Sequence, residues 1–195
     1  MKKPYLKLKK IKFVLIVIVI TLLNACANDI STQEANAEGF KAIENELKSK
    51  FGDNTYYTDL TIIYDSSIRN MVSVTVTNAP ESLKMGQWNS AQGTWKQNSE
   101  VTLEVPQGTK AADFMFQLND KINLTKLGEL VEKSSKHLTN EKDIENPALE
   151  MAFIKFPKNG DVSKAEYNVN LKPENGGTTF RFNYKLNGDL IEKDY

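Results

Sequence analysis

Apolar residues recur along this chain with three different periods, and each period predicts a different kind of element. From Phe13 to Leu23 eleven residues run together with only Thr21 polar among them, too short a run for a helix that must cross a hydrocarbon core with about 20 residues. Phe40, Ile43, Leu47 and Phe51 recur at spacings of three and four, so they predict an amphipathic helix that Gly52 ends. Its start is predicted at Ser31-Thr32-Gln33-Glu34, which has the S-x-x-E form of a capping box. Leu124, Leu127, Leu130, Val131 and Leu138 predict a second helix behind the N-cap Asn123, and Pro147 forbids its continuation.

The remaining pattern has period two. Leu60 to Tyr64 and Val72 to Thr77 are β-branched runs joined by the polar turn Asp65-Ser66-Ser67. Gln87-Trp88 and Thr94-Trp95 flank the polar Ser90-Ala91-Gln92-Gly93, and Val101 to Val105 alternates again until Pro106-Gln107-Gly108 breaks it. Strands are also predicted over Leu149 to Phe156, Ala165 to Leu171, Thr178 to Tyr184 and Leu190 to Glu192. Asn159-Gly160 and Asn187-Gly188 are read as type I′ hairpin turns, in which both central residues need positive φ. Residues 111–118 fit either element: Ala112, Phe114, Phe116 and Leu118 make a strand face, whereas Ala111, Phe114, Met115 and Leu118 make a helix stripe. Helix followed by antiparallel strands occurs twice. The sequence therefore predicts an α+β fold of two helix-plus-antiparallel-sheet units in tandem, residues 32–120 and 121–195, with the helices packed on one face of the sheet and each unit's sheet able to join the other's.

Charge changes the reading of the first run. Lys2, Lys3, Lys7, Lys9, Lys10 and Lys12 precede it with no acid to offset them, the asymmetry of a secretory signal spanning residues 1–25. Leu23, Ala25 and Cys26, the only cysteine of the chain, resemble the lipobox of bacterial lipoproteins, with Asn24 standing where a small residue is usual. The resemblance implies thioether lipidation of Cys26, cleavage before it and a lipidated tether over residues 26–31. Ala25-Cys26-Ala27 also has the A-x-A form of an ordinary signal-peptidase site, and cleavage there would release a soluble protein; a retained, uncleaved anchor is the third reading. Acyl chains contribute roughly 0.8 kcal/mol per buried methylene, so two or three hold a protein durably on the lipid bilayer. Ala27 is not the aspartate that retains such proteins in the inner membrane of many diderm bacteria, which favours the outer membrane. Asp29 alone is a poor match to an acid-rich surface-display tag, so the domain is expected to face the periplasm.

The 25 basic residues include those six lysines, which leaves 19 against 25 acidic ones, a formal charge of −6 after residue 25. Such a domain lacks the basic footprint of nucleic-acid binders. Catalytic machinery is sparse. The only histidine, His137, lies near the end of the second predicted helix, no S-x-x-K occurs, and one histidine with no free cysteine is a poor zinc set. No metal or other cofactor is expected. Asn159-Gly160-Asp161 and Asn187-Gly188-Asp189 lack the further acids of a calcium loop, and pairs such as Asp59 with Asp65 or Glu141 with Asp143 are what any chain with 25 acids contains.

Trp88 and Trp95, seven apart around a polar loop, are the candidate partner-binding residues, since a tryptophan at a hairpin mouth can stack on a sugar, a peptide or a partner's side chain. Core burial is the competing reading for both, and Tyr56 and Tyr57 share that ambiguity. The order of elements, closed by Phe182-Asn183-Tyr184-Lys185-Leu186-Asn187-Gly188-Asp189-Leu190, resembles the PepSY-like and beta-lactamase-inhibitor-like envelope proteins. Together these features predict a membrane-anchored lipoprotein, not an enzyme, whose domain binds an envelope protein or peptide. The resemblance adds an alternative, an inhibitor or regulator of a secreted hydrolase; an enzyme subunit is a third.

Overall fold

The computed structural model of the chain describes residues 29–65, 67 and 69–195, so the predicted leader and Cys26 lie outside the described residues. Helix α1 spans Ala37–Phe51 and α2 spans Leu124–Lys142. Among the described residues eight strands follow in order, β1 Tyr56–Asp65, β2 Arg69–Thr77, β3 Lys84–Ala91, β4 Thr94–Thr102, β5 Ala148–Lys155, β6 Glu166–Lys172, β7 Phe180–Lys185 and β8 Leu190–Asp194. All neighbours pair antiparallel, in the order β4-β3-β2-β1-β5-β6-β7-β8. Among the described residues no helix is long and apolar enough to cross a membrane.

This arrangement overturns the prediction of two separate helix-plus-sheet units in tandem. β1 pairs with β5 through Thr61↔Phe153, Ile62↔Ala152 and Ile63↔Met151, so both halves of the chain build one continuous eight-stranded sheet with both helices against it. The reason lies in which strands can bear an edge. β1 carries Leu60, Ile62 and Ile63, and β5 carries Met151, Ala152, Phe153 and Ile154, so each is apolar on both faces. The strands left at the rims are β4, with Lys96, Gln97, Asn98, Ser99 and Glu100, and β8, with Glu192, Lys193 and Asp194. Charged, polar edges resist pairing with other chains.

Three local expectations also change. Helix α1 starts not at the Ser31 box but behind Asn36, whose Oδ1 accepts from the Gly39 N–H at 2.8 Å. Asn36 is as good a cap as serine, and Ser31 is instead drawn into a 3₁₀ turn, Ile30–Thr32, that buries Ile30. The type I′ turn is Gln92-Gly93, with φ of +50° and +71° between the paired Ala91 and Thr94. At Asn187-Gly188 only the glycine is left-handed (φ +89°), and Lys185 N–H bonds Asp189 O at 2.9 Å, which makes a three-residue loop rather than a two-residue one. Gly160 (φ +72°) belongs to a longer connection, which holds the 3₁₀ turn Val162–Lys164 before β6. Residues 101–105 are no separate strand: β4 continues to Thr102. Residues 111–118 are neither helix nor full strand, since a 3₁₀ turn, Ala111–Phe114, precedes Phe116, which exchanges both backbone hydrogen bonds with Tyr57 at 2.8 and 2.9 Å.

The core lies between the helix pair and one face of the sheet. Phe40, Ile43 and Leu47 of α1 and Leu124, Leu127 and Leu138 of α2 are fully buried against Leu60, Ile62, Val72, Ala152, Tyr167, Val169 and Leu171. The helices run antiparallel and satisfy each other's first turns. Leu124 N–H donates to Glu44 Oε2 at 2.7 Å, and Ala37 N–H donates to Glu132 Oε2 at 3.3 Å. Each carboxylate thereby meets orphan donors and the positive end of the other helix dipole. Gly128 lets the backbones touch, for a Cβ there would stand 2.4 Å from Asn36 O.

Gly128→Ala should therefore destabilise the fold by about 1–3 kcal/mol despite alanine's better helix propensity, measured as a lower urea midpoint with an unchanged slope. Two buried tyrosines give a second expectation. Tyr167 accepts from Asn123 N–H at 2.9 Å and donates to Asn123 O at 3.1 Å, whereas the Tyr57 hydroxyl is buried without a partner. Tyr167→Phe should cost about 1–3 kcal/mol and Tyr57→Phe should be neutral or stabilising. Burial pushes the Tyr167 phenol up to about 12 from an ordinary 10.0, and pushes Tyr57 up further. The stability carried by Tyr167 is complete below pH 10 and lost as pH rises through about 12, at up to about 1.4 kcal/mol per pH unit. Denaturation between pH 9 and 12 should show a shallower alkaline loss in each phenylalanine variant than in the parent.

Candidate interaction surface

The β3–β4 hairpin brings Trp88 and Trp95 together on the helix-facing side of the sheet. Both are half-buried, and both meet Phe51 edge-on, with ring centroids 5.6 and 5.3 Å away. Lys50 Nζ lies 4.9 Å from the Trp88 ring centroid and 5.8 Å from that of Trp95, within cation–π range. Gly86 makes room for the Trp88 indole, since a Cβ there would stand 2.6 Å from Nε1. The last turn of α1 thus occupies the inner faces of both predicted binding residues. Replacing either indole by alanine should cost roughly 2–4 kcal/mol, somewhat under the range for a fully buried tryptophan, read from the urea midpoint of each single variant.

The other titratable candidates are dispersed. His137 Nδ1 pairs with Glu141 at 3.0 Å, its Nε2 lies 2.7 Å from the Tyr195 hydroxyl and 3.1 Å from Lys193 Nζ, and its ring meets Phe182 edge-on. This cluster fastens the C-terminal strand to α2. Asp59 lies inside β1 and Asp65 at its end, six residues further on, where Asp65 accepts from the Ser67 N–H at 2.8 Å. Asp143 is the left-handed cap of α2 while Glu141 faces His137 and Lys193, so these two do not converge either. Asp161 and Asp189 serve their own turns: Asp161 Oδ1 accepts from the Ser163 N–H, and the Asp189 N–H donates to Asn187 Oδ1. Among the described residues no group of three or more His, Cys, Asp or Glu side chains is placed to hold a metal ion. Tyr57 is buried and stacked on Phe116, while Tyr56 packs beside a small second cluster of Met85, Ala111 and Met115.

The helices cover one face of the sheet and leave the central strands of the other uncovered. Register puts Ile63 of β1 between Met71 of β2 and Met151 of β5, and Thr61 between Ser73 and Phe153. Ile63, Met71, Met151 and Phe153 thus form one contiguous, half-buried apolar strip at the middle of the uncovered face. Beside Phe153 in register stands Asn168, 6% exposed, whose Nδ2 has no hydrogen-bond partner. Polar and charged groups surround the strip, among them Asp59, Glu166, Arg181 and Asn183. Burial raises the Asp59 carboxyl above its ordinary range, with a hydrogen bond from Thr61 acting against it. Sequence reasoning did not mark this strip as a site. The available signal was the apolar character of Met151 and Phe153 on the face opposite Ala152 and Ile154, since a strand with one solvated face alternates.

No family model, no curated protein and no solved structure matches the chain.

Proposed function

We propose that the chain is a cell-envelope lipoprotein, acylated at Cys26 and held on the periplasmic side of the outer membrane, whose α+β domain is a non-catalytic binding module. The observation that carries the binding role is the uncovered strip of Ile63, Met71, Met151 and Phe153 in the middle of a sheet face. The strip is only half-buried and has polar groups around it, and an apolar centre with a polar rim is the anatomy of a protein interface. Asn168 adds to this. Its buried Nδ2 has no partner, a cost of about 1–3 kcal/mol carried beside Phe153 on this face.

The anchoring half of the reading rests on the six lysines, the short apolar run and Leu23 to Cys26. An acylated domain needs no membrane-binding face of its own, which leaves the sheet free to meet a protein or peptide. The same face serves a second reading, an inhibitor or regulator of a secreted hydrolase, because it offers Phe153 together with the acids Asp59 and Glu166.

A photo-crosslinking residue at position 153 of the full chain in cells should give one discrete adduct, and the same residue at position 136, exposed on α2, should give none. Met151→Lys should remove the adduct while shifting the urea midpoint little, because Met151 is only half-buried. Equal labelling from both positions, or an adduct indifferent to Met151→Lys, would sink the assignment of this face.

A further inference from the structure

The place where the described chain begins fixes how an anchored domain would stand on its bilayer. Asp29 is pinned at one end of the sheet. Its carboxylate accepts from the Ser31 N–H at 2.9 Å, and a Cβ on Gly93 would stand 2.9 Å from Asp29 Oδ1, so it lies against the β3–β4 turn. The next residue, Ile30, is buried in the core, and its carbonyl accepts from the Asn70 side chain at 3.1 Å. Asn70 also donates to Gln33 O, and it lies one residue into β2, beside the β1–β2 turn. Both turns belong to the same end of the sheet, because β1 and β3 run toward it and β2 and β4 run away.

Cys26 is three residues before Asp29. Whatever conformation those links take, they span at most about 11 Å at about 3.6 Å per residue. The sheet is longer than that by a factor of three, since the ten residues of β1 extend about 33 Å at about 3.3 Å each. A chain acylated at Cys26 therefore holds the turn end near the headgroups and cannot bring the opposite end there in its place. The surface chemistry agrees. Ser67, Arg69, Gln92 and Thr94 are exposed at the turn end, polar side chains that suit the headgroup region. The formal charge of −6 after residue 25 gives the domain no electrostatic reason to lie down on anionic lipid.

We propose that the end of the sheet bearing the β1–β2 and Gln92-Gly93 turns abuts the lipid headgroups, so that the strands stand along the membrane normal and the connection between β5 and β6 projects into the aqueous phase. This rests on the lipoprotein reading above and deepens it. The uncovered strip then faces sideways, parallel to the bilayer, and its partner is a protein that reaches within one domain height of the same membrane.

Full-length acylated protein carrying Thr94→Cys or Lys158→Cys, each labelled with a donor dye, would be placed in phosphatidylethanolamine–phosphatidylglycerol vesicles bearing a headgroup acceptor. Both positions are exposed and lie at opposite ends of the sheet, and the thiol of an acylated Cys26 is already consumed. Energy transfer should be at least threefold greater from position 94 than from position 158. Equal transfer, or more from position 158, on protein that floats with the vesicles and carries the acyl mass would overturn the orientation while leaving the anchor intact. A mature mass without acyl groups would instead remove the anchor, and the orientation with it.

Discussion

Two helices are too narrow to roof eight strands, and much of this structure follows from that mismatch. A helix pair with its side chains is about 20 Å wide, while seven inter-strand spacings of about 4.8 Å make a sheet of about 34 Å. α1 and α2 therefore cover the central strands, and the flanks of the same face need another roof. On the β3–β4 side it is Trp88, Trp95 and Phe51, with Lys50 Nζ over both indoles. On the β7–β8 side it is Phe180, Phe182, His137 and Tyr195, with Lys142 Nζ 4.4 Å and Lys193 Nζ 5.3 Å from the Tyr195 ring centroid. Each flank is closed by large rings capped with ammonium groups whose aliphatic stems also shield apolar surface.

The same constraint explains the care taken at the helix pair. β1 and β5 join through three register pairs, so the two halves of the sheet depend on the helices that bridge them. Those helices approach until Gly128 meets the backbone of Asn36 and Ala37, and a contact that close leaves no water to solvate the first turns. Glu44 and Glu132 supply the missing acceptors from the opposing helix. Glu44 is 7% exposed and keeps Lys48 Nζ at 2.5 Å as a second partner, which answers the penalty of burying a carboxylate. Removing one partner of such an arrangement is worse than never having built it.

How much of this the sequence disclosed depends on the range of the interaction involved. Helix α2 and its Asn123 cap were legible because cap and periodicity are local, and the Asn123 side chain does accept from the Lys126 N–H at 2.8 Å. α1 was legible in its stripe but not its start, since Ser31 and Asn36 are equally good caps and only the burial of Ile30 decides between them. The hairpin turns went astray for a related reason. Asn-Gly is the strongest local signal, yet the tight turn that forms is Gln92-Gly93, where strand register on both sides leaves two residues for the bend. Joining of the halves into one sheet was illegible residue by residue. It follows from comparing edges, for β4 and β8 can face water and β1 and β5 cannot.

Residue type misled for the candidate site in a way the width argument accounts for. Tryptophans draw attention as binding residues because of their size, and size is also what an under-roofed flank requires, so Trp88 and Trp95 go inward. The uncovered face has no such roof. Its centre carries residues of middling size, Ile63, Met71 and Met151, with Phe153 as the one ring. Methionine and isoleucine there bury only part of their apolar area, while threonine and serine occupy the same face at Thr61 and Ser73. The apolar area that this half-buried strip leaves in water is the area a second molecule would cover on the proposed docking face.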